Sequence, residues 1–318
     1  MTKGLVRYIV TAGATLGALV AAVNAQSTPT DGVPVSVVLS VKAHHDVDLS
    51  KMTSENLVVM QGRDRDKVTE VVPLQGDRAG LELYIMMDDS RALSFGTQLE
   101  DIRQFILDQP PTTKIGVVYM AIGGPKIVQE LTADHAAAAK AVETPLGRLA
   151  NGESPYSALT DLMAKWPASS NRREVVMISD GEDATYSDFP GQRSNTHVDT
   201  AVQGAERNGI VVFTIATSHQ NIESREFGSS GKYYLSELAE GTGGQFYYYD
   251  SSAPVSFRPY FHDLTQRLQG QFLVTFLAKP AKKSGMQAIK VRTELRHVEL
   301  VSPDKIYLPA TTVAALQP

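Results

Sequence analysis

The sequence predicts an α/β protein: a doubly wound, mostly parallel sheet with helices on both faces, joined to a small β-sandwich built from the two ends of the chain. Three observations predict it. Apolar runs and helical patterns alternate about six times between residues 79 and 268, and such alternation builds a parallel sheet with crossover helices. The runs are apolar throughout rather than at every second position, as in strands buried on both faces. The flanking segments, 33–78 and 269–310, read as strands alone. At roughly 45 residues, each is marginal as a core by itself, so the two are expected to pair around the inserted α/β body.

Ahead of the first strand lies a targeting segment. Lys3 and Arg7 precede an uncharged stretch, 8–23, and Val23-Asn24-Ala25 closes it with small or modest residues. This is the pattern of a secretory signal peptide cut after Ala25. The alternative is an N-terminal membrane anchor, but a spanning helix needs ~20 predominantly apolar residues and this stretch is short and rich in Ala, Gly and Thr. No later stretch is long and apolar enough to span a membrane. The expected destination is the periplasm or the exterior. Residues 26–32 (QSTPTDG) read as a linker.

Residues 33–41 (VPVSVVLSV) are β-branched and bounded by turn residues, a strand with Pro34 at an edge or just ahead of its start. Residues 57–60 and 68–74 read as two more strands, separated by a charged turn at 62–66 (GRDRD). The α/β part opens with the buried strand 81–87 (LELYIMM), which ends at Asp88-Asp89-Ser90. In 97–108, Leu99, Ile102, Phe105 and Ile106 have helical spacing. A strand at 114–122, an edge strand at 127–131 and an Ala-rich helix at 133–142 follow. Residues 155–166 start a helix on Pro155. Residues 174–179 are a strand that turns off at Asp180-Gly181. Residues 196–208 are a helix capped by Gly209, followed by the strand 210–216. A short helix, 234–240, ends at Gly241. A strand at 245–249 (QFYYY) and a helix at 260–268 close the part. Beyond Gly270, 271–278 and 289–295 read as strands, 298–301 and 305–308 add one or two more, and 311–318 is a tail.

Composition removes several function classes. Acidic residues number 35 against 30 basic, a net charge of −5 with no basic run, so nucleic acid is not an expected partner. The chain has no cysteine, which excludes disulfides, cysteine zinc sites, iron–sulfur clusters and thiol catalysis. His135, His197, His219, His262 and His297 lack zinc-peptidase spacing. Gly152-Glu153-Ser154-Pro155-Tyr156 fails the nucleophile-elbow pattern at its last position. Gly228-Ser229-Ser230-Gly231-Lys232 is too short for a phosphate loop and reads as a polar loop. His44-His45-Asp46 and Arg63-Asp64-Arg65-Asp66 read as solvated turns. On a strand, Tyr248 would face away from Tyr247 and Tyr249.

In an open α/β sheet, ligands bind beyond the carboxyl ends of the strands. Three loops bring carboxylates and hydroxyls to that rim: Asp88-Asp89-Ser90-Arg91-Ala92, Gly152-Glu153-Ser154, and Ser179-Asp180-Gly181-Glu182-Asp183. Oxygen donors of this kind suit hard cations such as Mg²⁺ and Ca²⁺. The run from Leu81 to Asp183 resembles a von Willebrand factor type A domain, and the resemblance covers roughly residues 79–268. That family's metal-ion-dependent adhesion site follows D-x-S-x-S, a Thr in a second loop and an Asp in a third. Here Asp88 and Ser90 match, Ala92 departs, Ser154 stands where the Thr is expected, and Asp180 matches. Gly241-Thr242-Gly243-Gly244-Gln245-Phe246 is similar to the loop before the family's last strand. The layout of signal peptide, β segment, A-type domain and β tail is similar to a bacterial secreted group related to this family.

The resemblance implies one divalent cation (Mg²⁺, Mn²⁺ or Ca²⁺) held by Asp88, Ser90, Ser154 and Asp180, with Ser179, Glu153, Glu182 and Asp183 around it. Such an ion accepts a carboxylate oxygen from a partner protein, so the implied role is adhesion or assembly and not catalysis. Two other readings stand beside it. One is a structural scaffold with a vestigial metal site that binds through the β-sandwich. The other is a hydrolase using metal-activated water, for which the sequence supplies no general base or nucleophile set.

Overall fold

The computed structural model describes residues 32–44, 47–89, 96–121, 123–144, 154–183, 185, 195–217, 227–248 and 256–310. The signal segment and the expected tail therefore lie outside the described residues, as do Ser90, Ala92, Glu153, His45, Asp46, His219 and Tyr249. All the described residues belong to one compact unit, Gly32–Pro318.

The chain opens with β1 (Val33–Ala43), β2 (Leu57–Gln61) and β3 (Asp64–Pro73), then enters the α/β part. That part comprises β4 (Leu81–Asp88), α1 (Gly96–Leu107), β5 (Thr113–Ala121), β6 (Gly124–Thr132), α2 (His135–Lys140), α3 (Pro155–Lys165), β7 (Arg172–Ser179), α4 (Thr196–Asn208), β8 (Ile210–Ala216), α5 (Phe227–Thr242), β9 (Phe246–Tyr247) and α6 (Arg258–Gln269). It closes with β10 (Gln271–Ala278), β11 (Gly285–Ala288), β12 (Lys290–Thr293), β13 (Val298–Val301) and β14 (Lys305–Leu308).

The α/β sheet has the order β6-β5-β4-β7-β8-β9. Only β6 runs antiparallel to its neighbour, at the edge. β4 is buried along its whole length and serves two cores. Leu83, Ile85 and Met87 pack with α1, α2 and α6, whereas Tyr84 and Met86 pack with α3, α4 and α5. This explains the unbroken apolar run: alternate residues leave the sheet on opposite faces, and helices cover both.

Helix starts follow local chemistry. Ser154 caps α3, with Pro155 in its first turn, and Asn195 Oδ1 caps α4 by accepting the His197 amide at 2.8 Å. Gly209 ends α4 at φ 61. α6 takes its cap from another helix: Asp101 of α1 accepts the Phe257 amide at 2.9 Å and the Ser256 hydroxyl at 2.6 Å.

The terminal segments pair with each other. Their sheet has the order β12-β2-β3-β10-β1-β13, and its neighbours along that order are antiparallel. β11 and β14 form a separate two-stranded ribbon that contributes Ile306 and Leu308 to the same core as Leu39, Val59 and Phe276. The described strands thus make one full sheet and one ribbon, which falls short of the two complete sheets expected of a sandwich. Arg267 on α6 ties this sheet to the α/β part through Glu299 of β13 at 2.8 Å, and is itself held by Asp263 one turn earlier on α6 at 2.7 Å. Lys42 of β1 also bonds Asp263.

Several local expectations are corrected. The charged turn at 62–66 is shorter: Asp64, Arg65 and Asp66 already belong to β3, and Asp66 is buried, because Gly62 at φ 64 completes the reversal. Residues 230–232 of the expected polar loop lie in α5, whose first turn starts at Phe227. Gly241 lies inside that helix, packed against Val202, and Gly243 at φ 80 ends it. The QFYYY strand shrinks to Phe246–Tyr247, with Tyr247 buried and Tyr248 half exposed. The strand expected at 289–295 starts one residue later and stops at Thr293. The buried Ile289 separates β11, which pairs with β14, from β12, which pairs with β2.

Glu206 on α4 gives the fold a measurable pH dependence. Both carboxylate oxygens are buried and lack a hydrogen-bond partner among the described residues. Burial pushes its carboxyl up to about 8, with Lys305 opposing and Asp304 reinforcing. A raised carboxyl contributes stability that is fully present below its unfolded value near 4.5 and is lost as pH rises toward 8. Glu206→Gln should therefore be near neutral at pH 5 and stabilising above pH 8 by on the order of 2 kcal/mol, discounted for partial exposure. Urea midpoints at both pH values check this, and equal shifts at the two would refute it.

Candidate metal centre at the sheet rim

The chain leaves the sheet centre outward through β4, β5 and β6 and returns to the other side of β4 as β7. The reversal of strand order falls between β4 and β7, where a crevice for ligands is expected. Their carboxyl ends are Asp88 and Ser179, and the two side chains meet: Ser179 Oγ donates to Asp88 Oδ2 at 3.1 Å. Ser179 is fully buried, and Asp88 and Asp180 are each 8% exposed. Asp88 and Asp180 thus both stand where β4 and β7 end, with the Ser179 hydroxyl contacting Asp88 and the chain leading directly on to Asp180.

The loop after β7 is held from several sides. The Gly181 amide donates to Ser179 Oγ at 3.0 Å, and the Glu182 amide donates to Asp180 Oδ1 at 2.9 Å. The Tyr156 hydroxyl, from α3, donates to the Gly181 carbonyl at 2.8 Å. Gly181 adopts φ 75, and a Cβ there would lie 2.4 Å from the Gly231 carbonyl oxygen. Gly231 answers with the same constraint: its Cβ would lie 2.3 Å from the Asp180 carbonyl oxygen. The stretch that fails as a phosphate loop therefore lets helix α5 touch the Asp180 loop backbone to backbone.

Ser154 reaches the rim as the cap of α3, accepting the Ser157 amide at 3.3 Å. Its hydroxyl donates to Asp183 Oδ2 at 2.8 Å. Asp183 is the hub that sequence reasoning placed only in the surroundings. It also accepts from Asn195 Nδ2 at 3.1 Å and from the Thr185 hydroxyl at 2.6 Å, and bonds His197 Nδ1 at 2.8 Å. Its side chain is 2% exposed. Burial pushes its carboxyl up, but the hydrogen bonds from Thr185, His197, Asn195 and Ser154 together outweigh burial and hold it below its ordinary value. No spacing in the sequence announces this hub, because His197 and Asn195 arrive from a different helix start.

Of the four expected ligands, Asp88, Ser154 and Asp180 are at this rim, and Ser90 lies outside the described residues. Among the described residues, no three carboxylate or imidazole side chains converge as a metal cluster. A cation site of the expected kind needs fewer charged groups, because hydroxyls and waters supply the rest. Asp88, Asp180 and the Ser154 hydroxyl offer oxygen donors alone, a chemistry that fits a hard divalent ion. The other histidine candidate, His44, sits 3.5 Å from Glu299 in the terminal sheet.

The α/β body is von Willebrand factor type A-like in fold. Its sheet order, its two helical layers and the rim position of Asp88 and Asp180 carry that likeness. No family model matches the sequence, and no curated protein matches it. Among solved structures, it is similar to an aerotolerance-related membrane protein from Bacteroides fragilis, at 19% identity over 59% of this chain and 98% of that one, with a TM-score of 0.42. The SpRpn10 VWA domain overlaps at 11% identity over 59% of this chain and 97% of its own, with a TM-score of 0.39. The pilus adhesin SpaC from Lactobacillus rhamnosus GG, in its open conformation, overlaps at 11% identity over 80% of this chain, with a TM-score of 0.46; the chain spans 48% of that adhesin. These partial overlaps transfer no residue roles. No helix among the described residues is long and apolar enough to cross a membrane.

Proposed function

We propose that this protein is an exported, non-enzymatic protein-binding module that holds one divalent cation at the rim of its A-type domain. Asp88, Ser90, Ser154 and Asp180 would hold the ion. Bound there, the ion would supply an open coordination position for a carboxylate oxygen of a partner protein, as in adhesion or assembly. Export follows from the signal-peptide reading, with cleavage after Ala25. The terminal sheet and its two-stranded ribbon then act as an incomplete sandwich that carries the domain.

The observation that supports this reading is the meeting of Asp88 and Ser179 where the strand order reverses, with Asp180 next in the chain. Buried carboxylates at the ends of neighbouring strands repel unless a positive charge or hydrogen-bond donors offset them. The chain's own residues do the positioning. Ser179 orients Asp88, the Glu182 amide orients Asp180, and Asp183 accepts the hydrogen bond of the Ser154 hydroxyl, leaving the Ser154 oxygen lone pairs free of that proton.

The test is calorimetric titration of Mg²⁺, Mn²⁺ and Ca²⁺ into metal-stripped protein. The expected result is binding of one ion that Asp88→Ala and Asp180→Ala each abolish. Absence of heat for all three ions, or binding that survives both substitutions, would overturn the reading.

A further inference from the structure

The terminal sheet has an interrupted edge. β13 pairs with β1 only over Ser40–Ala43, so among the described residues Val33–Leu39 has no strand on that side. The interruption has a local cause. Continued in register, β13 would place Ser302 and Pro303 opposite Leu39 and Val38, but the chain turns away at Pro303. There Pro303 packs against Gly243, whose Cβ would lie 2.7 Å from the Pro303 nitrogen. The chain then returns as β14.

Backbone direction along the open stretch can be read from its two ends. The Val41 amide donates to the Gly270 carbonyl, toward β10, and the His44 amide donates to the His297 carbonyl, toward β13. Amide directions alternate along a strand. Hence Pro34, Ser36 and Val38 direct their backbone groups to the open side. This is why Pro34 is tolerated inside β1: its missing N–H faces away from the ladder. Ser36 and Val38 remain as donors and acceptors that an added strand could use.

The open stretch lines a cleft of about 450 Å³. Val35–Val38 line one wall and Lys305–Tyr307 another. Arg172, Arg173, Arg207 and Lys305 line it against one lining acid, Glu206, with Asp304 beside Glu206 and Lys305. The cleft therefore combines strand backbone that no described strand pairs with and a mainly basic lining.

We propose that this cleft takes an extended, acidic segment of a partner protein, which adds as a strand to β1 where β13 leaves off. Main-chain bonds to Ser36 and Val38 would give affinity, and the basic rim would select aspartate or glutamate on the incoming strand. The proposal does not rest on the cation reading, since the two surfaces share no residue.

The test uses the full-length protein and two fluorescent hexapeptide probes, one alternating aspartate with valine and the other lysine with valine. The acidic probe should bind at least about tenfold more tightly, and amide hydrogen exchange should slow at Ser36 and Val38. Ser36→Pro removes an edge donor and leaves the backbone bonds to β10 in place, losing on that side only the exposed Ser36–Thr275 hydroxyl bond, so it should weaken binding by about tenfold while lowering the unfolding midpoint only slightly. Arg207→Glu should narrow the preference between the probes. No binding of the acidic probe, equal binding by Ser36→Pro, or protection elsewhere would overturn the proposal. A wild-type dimer in sedimentation that Ser36→Pro dissociates would also overturn it, in favour of a second copy of this chain as the occupant.

Discussion

Asp183→Asn is expected to destabilise the protein by roughly 3 kcal/mol at pH 7, the largest effect of any conservative change at the rim. The carboxylate collects donors from Ser154, Thr185 and Asn195 and bonds the His197 ring. The amide turns one acceptor into a donor among donors. Hydrogen bonds to a charged group contribute about 1.5–3 kcal/mol each, and they do not add fully within one network. For a chain of this size the melting temperature should fall by about 6–12 °C.

The pH dependence follows from the same bonds. Asp183 is held below its ordinary value near 3.8. Its stabilisation is therefore present above that value and lost as pH falls through the lower folded one. The gap between wild type and Asp183→Asn should narrow as pH drops from 5 to 2. Equal melting temperatures at pH 7, or a gap that persists at pH 2, would contradict the hub role.

Gly181→Ala should cost about 3 kcal/mol and disturb the rim as well. Alanine at φ 75 is strained by about 1 kcal/mol. Its Cβ would also meet the Gly231 carbonyl at 2.4 Å and Leu235 Cγ at 2.7 Å, so α5 or the Asp180 loop must move, which costs a further 1–3 kcal/mol, roughly. Gly209→Ala separates the two causes. Gly209 has φ 61, but a Cβ there would meet nothing within 4 Å, so the substitution should cost only about 1 kcal/mol. Denaturant midpoints that fall equally for both variants would show that the close approach of α5 carries no weight.

The rim carboxylates were legible because they follow apolar runs directly. A strand buried on both faces must end in polar residues, and the sheet order then decides which ends meet. That Asp88 touches Ser179 depends on β4 and β7 being neighbours, which local pattern does not specify. The Asp183 hub was illegible for a related reason: its partners come from α3, the start of α4 and the loop between, and only packing brings them to one carboxylate. The misread Gly228–Lys232 stretch looks like a loop because glycine and serine have weak helix propensity. Contact with the Asp180 loop at Gly231 requires glycine there, and packing within α5 overrides the propensity.

By itself the sequence determined the alternation of strands and helices, the helix start at Pro155 and the helix end at Gly209, and the acidic, cysteine-free composition. All of these are consequences of periodicity and local backbone chemistry. Only the tertiary structure decided how the two terminal segments interleave, with β10 between β3 and β1, and where that pairing stops. The register between segments more than two hundred residues apart is set by shared burial around Leu39, Val59 and Phe276. The break at Pro303 is set by the close approach of Gly243. Neither contact leaves a mark on the residues next to it in the chain.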